Sequence, residues 1–156
     1  MDRLTITTLG SVHIQVGRAP VTGFISRKVD ALLIYLAANP REHPREMLAD
    51  LLWDDLPQNR ALSYLRTALA SLQKQLAPYL LVTRHSIGIH PERDVWLDAA
   101  VLEQALDAAE AHWAQHGSFS RAAAAALEEA LALYRGAFLE GFYLRDSREF
   151  EGWMIL

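Results

Sequence analysis

Residues 57–76, PQNRALSYLRTALASLQKQL, decide how this chain is read. Leu62, Leu65, Leu69, Leu72 and Leu76 recur every three or four residues, which is the spacing of one buried helical face. Asn59, Arg60, Ser63, Arg66, Thr67 and Lys74 fall on the remainder of the cylinder and point outward. Pro57 suits the start, where its missing N–H breaks no helical bond. No acidic residue lies between Asp55 and Glu92, whereas Arg60, Arg66, Lys74 and Arg84 do, in a chain whose formal net charge is −4. A basic island of this kind faces a polyanion. The stretch therefore predicts a DNA-reading helix.

Working outward, the 156 residues are 51% hydrophobic and only 22% charged, enough apolar mass to close a core, so disorder is excluded. Cysteine is absent, which removes disulfides and thiolate metal sites and is compatible with a reducing cytoplasm. No run approaches the roughly 18 apolar residues of a membrane span, and Met1 to Gly10 lack the form of a signal peptide. A soluble cytoplasmic protein with no membrane partner is expected. Charge is divided unevenly: residues 1–97 carry 11 Lys and Arg against 9 Asp and Glu, and residues 98–156 carry 4 against 10. The split fits a nucleic-acid-facing front half, the alternative being a solvated acidic helical surface behind it.

Ahead of the basic helix, Leu4, Ile6, Val12, Ile14 and Val16 alternate, and Gly10, Gly17 and Gly23 mark turns, which predicts a small antiparallel sheet. Ser26 is a fair N-cap for a helix with Val29, Leu32, Leu33, Leu36 and Ala37 on one face, ended by Asn39-Pro40. Pro44 suits the first turn of a second helix bearing Met47, Leu48, Leu51, Leu52 and Trp53. After Pro78 the period shortens: 80–82, a turn at 84–86, 87–89 and 95–97 read as short strands. Helix, helix, helix and hairpin is the order of a winged helix, with Arg84 and His85 at the tip of the wing.

From Asp98 the chain reads as helical again. Val101, Leu102, Ala105, Leu106 and Ala109 share a face, and a second helix at roughly 119–135 bears Leu127, Leu131 and Tyr134. The alanines at 122–126 are strong helix formers whose small side chains allow close approach of a neighbour. Gly136 and Gly141 surround a tight connection before a last segment with Phe150 and Trp153. The chain stops at Ile155-Leu156 in an apolar stretch without cap or polar tail, from which a longer protein is expected.

Three runs carry a family resemblance: Arg27-Lys28 with Ala31-Leu32-Leu33 and Tyr35-Leu36, then Arg45-Glu46 with Leu48-Ala49 and Leu52-Trp53, then Leu65-Arg66 with Ala68-Leu69 and Leu72. Together they resemble the N-terminal DNA-binding domain of SARP-type transcriptional regulators, whose winged helix is similar to that of OmpR-type response regulators. Asp98 with Leu102-Glu103, then Ala130-Leu131, Leu133-Tyr134, Gly136, Phe138-Leu139 and Gly141, and Phe150-Glu151 with Trp153, resemble the start of the bacterial transcriptional activator domain that follows in that family. The resemblance implies an α+β fold: a winged helix with an N-terminal antiparallel sheet and a C-terminal hairpin wing at 1–97, then the start of a tetratricopeptide-like all-α domain at 98–156. Gln73 departs from it, standing where the family commonly has Arg. The activator domain also normally runs on for several more helices.

An α-helix in the major groove offers a few outward side chains to base edges, Arg pairing with guanine and Asn with adenine. Asn59, Arg60, Ser63, Arg66 and Thr67 are the base-proximal candidates. Tyr64, Lys74 and Arg84 are expected on phosphates, as are Arg27, Lys28 and Arg45 at the first turns of their helices, where amides favour anions. For each alone, ordinary surface solvation is the competing account. Trp53 ends an apolar stripe and reads as core, the alternative being base stacking; Trp96 reads as a packed strand residue and Trp113 as interface or core.

No enzyme is expected. His112 and His116 lie one helical turn apart, but no HExxH arrangement or third ligand accompanies them, so no metal site is assigned. Asp54-Asp55 point in different directions and read as loop acids. No phosphate-cradling glycine run is present, and no cofactor is expected. The resemblance implies a sequence-specific regulator of transcription acting as paired protomers on promoter direct repeats, with duplex DNA, RNA polymerase and a second copy as partners. The alternative is a protein-interaction module whose winged helix no longer binds DNA.

Overall fold

A computed structural model describes residues 1–155; Leu156, the last residue of the expected second domain, lies outside the described residues. Strands β1 (Leu4–Thr7), β2 (His13–Val16) and β3 (Ala19–Pro20) precede helix α1 (Arg27–Ala38). Strand β4 (His43–Pro44), helix α2 (Arg45–Leu52) and helix α3 (Gln58–Leu76) follow. A 3-10 turn at Ala77–Tyr79 leads to β5 (Leu80–Val82), β6 (Ser86–Ile89) and β7 (Val95–Leu97), and then to α4 (Asp98–His116), α5 (Arg121–Leu131) and α6 (Arg148–Met154).

Two sheets form, ordered β3-β2-β1-β7 and β4-β6-β5. The alternation of Leu4 and Ile6 places both fully inside, as period-two burial requires. The first sheet differs from the expected antiparallel one because β7 joins it in parallel, Leu4 opposite Val95 and Ile6 opposite Leu97. Parallel pairing needs a long crossover, here through α1 to β6, and no local pattern announces such a partner. The wing sheet likewise gains β4, whose His43 pairs with Ile87. Gly88 allows that approach: a Cβ there would stand 2.8 Å from the Arg41 carbonyl oxygen.

Helix α1 is buried almost all round from Val29 to Ala37 and forms the centre of the core. Ala61, Leu65, Ala68, Leu69, Leu72 and Leu76 of α3 close over it with α2, while Leu62 stays at the edge of the buried stripe. Leu139, Phe142, Leu144 and Phe150 enter this same core, so the C-terminal segment completes the hydrophobic interior of the front half. Helices α4 and α5 pair over a smaller cluster of Leu9, Leu102 and Ala130. Helix α5 ends at Leu131, short of the expected 135, where Ala132 and Leu133 turn toward the Gly136 connection.

Candidate nucleic-acid interface

Asn59, Arg60, Ser63, Arg66, Thr67 and Lys74 are all exposed on α3, because the leucine and alanine stripe fixes the opposite side of the helix to the core. Asn59 Oδ1 accepts from the Arg60 amide at 2.9 Å in the first turn, and the Thr67 hydroxyl donates to the Ser63 carbonyl at 3.3 Å, one turn back. Among the described residues, none of Arg60, Arg66, Lys74 and Arg84 is in an ion pair. The C-terminal helices dock elsewhere, α6 on α2 and α5 on α4. The result is a strip of two guanidinium groups, one amide, two hydroxyls and an ammonium group open to solvent, with no carboxylate interleaved.

Tyr64 lies on the edge of this strip, 46% exposed, its ring stacked on Trp53 with centroids 6.3 Å apart and planes 17° apart. Trp53 itself is buried, in agreement with the core reading. The Lys28 ammonium lies 5.2 Å from the centroid of the Trp53 ring, a cation–π contact. Burial lowers the Lys28 pKa from its ordinary value, against the opposing pull of Asp55, Asp146 and Asp54. Arg27, one residue earlier, is exposed.

The wing turn is more tightly organised than its sequence suggests. Thr83 Oγ1 accepts from the Ser86 amide at 2.9 Å and the His85 amide at 3.2 Å, leaving the side chains of Arg84 and His85 exposed. Arg45 is half-buried and its guanidinium Nη2 donates to the Thr83 carbonyl at 2.8 Å, while its backbone N–H donates to the His85 carbonyl at 3.0 Å. The first amide of α2 is thus occupied by the wing. A second tether, absent from the sequence reading, joins the loop before α1 to α3: Gln75 Nε2 donates to the Thr22 carbonyl at 2.9 Å, and the Ile25 amide to Ser71 Oγ at 3.3 Å. Both partnerships are long-range and polar, so no periodicity could have revealed them.

The remaining candidates are dispersed. Asp54 and Asp55 are exposed between α2 and α3, and Asp54 Oδ2 accepts from the Glu149 amide at 3.3 Å. Trp96 is half-buried, whereas Trp113 is 54% exposed at the far end of α4, its ring 5.2 Å from that of Phe119, so it is not a core residue among the described residues. The His112 and His116 rings stand 4.6 Å apart, and His112 Nε2 accepts from the Ser120 amide at 3.3 Å. Among the described residues no group of three or more His, Cys, Asp or Glu side chains could hold a metal ion. No described helix is long and apolar enough to cross a membrane.

No family model and no curated protein sequence matches the chain. Among solved structures it is similar to Mycobacterium tuberculosis EmbR, seen in complex with a low-affinity phosphopeptide, with a TM-score of 0.75 and 24% sequence identity. The match covers 99% of this chain and 41% of EmbR, so the chain spans less than half the length of that relative. The likeness is one of fold alone.

Proposed function

We propose that this chain is the DNA-binding end of a SARP-type transcriptional regulator, a winged helix at 1–97 that reads duplex DNA with the exposed face of α3. The observation that carries the reading is the strip from Asn59 to Lys74, which is solvent-facing, free of carboxylates and without ion pairs among the described residues. Asn59, Arg60, Ser63, Arg66 and Thr67 take the base edges. Tyr64, Lys74, Arg84 and Arg27 take phosphates, and they position the helix without reading sequence. The role is non-catalytic, requires no cofactor, and is exercised in the cytoplasm by paired protomers at promoter direct repeats.

Residues 98–155 then form the opening helices of a tetratricopeptide-like activator domain, whose task is contact with protein, including RNA polymerase. A specific observation favours protein contact by this half: Leu106, Trp113, Phe119, Leu131 and Tyr134 are all exposed on α4, α5 and their flanks. DNA binding by the front half and protein contact by the back half are compatible in one chain.

Fluorescence anisotropy of a labelled duplex across a salt series tests the DNA reading. Wild-type protein is expected to bind with a log-affinity that falls linearly with log salt, by about 0.9 for each phosphate neutralised. On a duplex that the wild type selects from random sequence, Arg60→Ala with Arg66→Ala is expected to abolish most of the preference over random duplex. Binding that ignores salt, or a preference for the selected duplex that survives this double change, contradicts the proposal.

A further inference from the structure

Arg45 carries the look of a phosphate ligand in the sequence, and its half-buried side chain reaches the wing turn. Strand β4 ends at Pro44, hydrogen-bonded to β6 opposite Ser86, so Arg45 begins α2 directly beside the wing turn. From there it grips the turn twice, through Nη2 on the Thr83 carbonyl at 2.8 Å and through its amide on the His85 carbonyl at 3.0 Å. Its Nε is buried without a partner. An orphaned buried donor costs free energy, so the guanidinium is held in place by its surroundings rather than by maximal hydrogen bonding. Thr83 completes the turn from within: its amide donates to the Ser86 carbonyl at 2.9 Å, and its hydroxyl accepts from the amides of His85 and Ser86. The carbonyls on either side of Arg84 are thereby fixed to α2, and Arg84 is the exposed residue between them.

We infer that Arg45 is a positioning residue: it clasps the wing turn to helix α2, and its contribution to DNA binding passes through Arg84 rather than through a phosphate of its own. The inference rests on the DNA-binding reading above. It assigns to α2 the role of holding wing and recognition helix at one fixed separation, since α2 also packs against α3. A wing clasped in this way meets the backbone without first being ordered, which removes an entropic cost from binding.

Two measurements on the whole chain test it. In free protein, hydrogen exchange at the amides of Thr83, His85 and Ser86 is expected to quicken in Arg45→Ala while α3 stays protected; unchanged exchange at those amides overturns the clasp. With a labelled random-sequence duplex, Arg84→Ala is expected to reduce the salt slope by about 0.9, and Arg45→Ala is expected to reduce it by no more than that. Adding Arg45→Ala to Arg84→Ala is expected to change nothing further. A further drop of about 0.9 in the double variant makes Arg45 a phosphate ligand and overturns the inference. Thr83→Ala loosens the same turn with the Arg45 charge intact, so it provides the comparison if Arg45→Ala does not fold; it is expected to remove the Arg84 share of the slope, and a full slope counts against the route through the turn. If wild-type protein binds no duplex at all, the DNA-binding reading and the route through Arg84 fall together, while the exchange experiment still decides the clasp.

Discussion

The carboxylate of Asp98, in the first turn of α4, is buried against Thr8, the residue after β1: Oδ1 accepts from the Thr8 amide at 2.8 Å and from its hydroxyl at 2.9 Å. Oδ2 accepts from the Leu9 amide at 3.0 Å, and Oδ1 also accepts from the Ala99 amide at 2.8 Å. No cation accompanies this anion among the described residues; backbone and hydroxyl donors alone hold it. The negative charge also lies at the N-terminus of a 19-residue helix, where the aligned peptide dipoles favour it. Asp98 is thus the joint by which the sheet fixes the direction of the helical segment.

Asp98→Ala leaves three buried or half-buried backbone N–H groups without an acceptor, each worth about 1–3 kcal/mol when orphaned. A loss of at least about 3 kcal/mol in urea denaturation is expected. Asp98→Asn is expected to recover little, because both carboxylate oxygens accept amides and an NH2 group at either position would face another donor. Full recovery by Asn would show that the charge and the second acceptor are dispensable.

The C-terminal segment is fastened to α2 by a buried hydroxyl. Ser147 is buried and its hydroxyl donates to the Leu52 carbonyl at 2.6 Å, satisfying one of the last carbonyls of α2. Ser147→Ala is expected to cost about 1 kcal/mol, measured by thermal or urea unfolding as a single transition shared with the front half. A separate early transition confined to α6 would mean that this segment is not part of the main core.

Burial raises the Asp30 carboxyl above its ordinary 3.8, against the opposing effects of its own backbone N–H and of Arg27. A folded-state pKa above the unfolded one favours folding where the group is protonated. That contribution is complete below the unfolded value and is lost as pH rises through the folded one. Asp30→Asn is therefore expected to be more stable than wild type at neutral pH, with the advantage shrinking as pH falls toward 3.8. Urea midpoints of both proteins over that range provide the check, and a constant gap or a destabilised variant at neutral pH counts against the burial effect.

Arg66→Ala is expected to lose roughly 1–3 kcal/mol on a selected site and much less on random duplex, the signature of a base contact. Lys74→Ala is expected to weaken all sequences alike. Equal losses on both kinds of DNA for Arg66→Ala would move it to the phosphate set.

What the sequence made legible was periodic. The leucine stripe of α3, the apolar run of α1 and the alternation in β1 each repeat often enough for local spacing to fix which side is buried, and so which side of α3 faces solvent. Strand β7 was visible as Val95-Trp96-Leu97, but its parallel partner lies some 90 residues earlier in the chain, and nothing in three residues specifies it. The same holds for β4, two residues long, and for Ser147 reaching Leu52. Arg45 shows the limit most clearly: its position at a helix start invites an anion, and nothing local announces that its amide and Nη2 donate to carbonyls of the neighbouring wing turn. For Trp113 the sequence leaves interface and core open, and its exposure removes only the core role, since the two-helix hairpin has one side to bury.

Selection of bound duplexes from a fully randomised pool, run in parallel with wild-type protein and with the Arg60→Ala, Arg66→Ala variant, tests the central claim most directly. The wild type is expected to enrich a defined short motif, occurring as a direct repeat, and the variant is expected to enrich none. A wild type that enriches no motif, or a variant that recovers the same motif with the same strength, would contradict the reading of α3 as the element that recognises DNA.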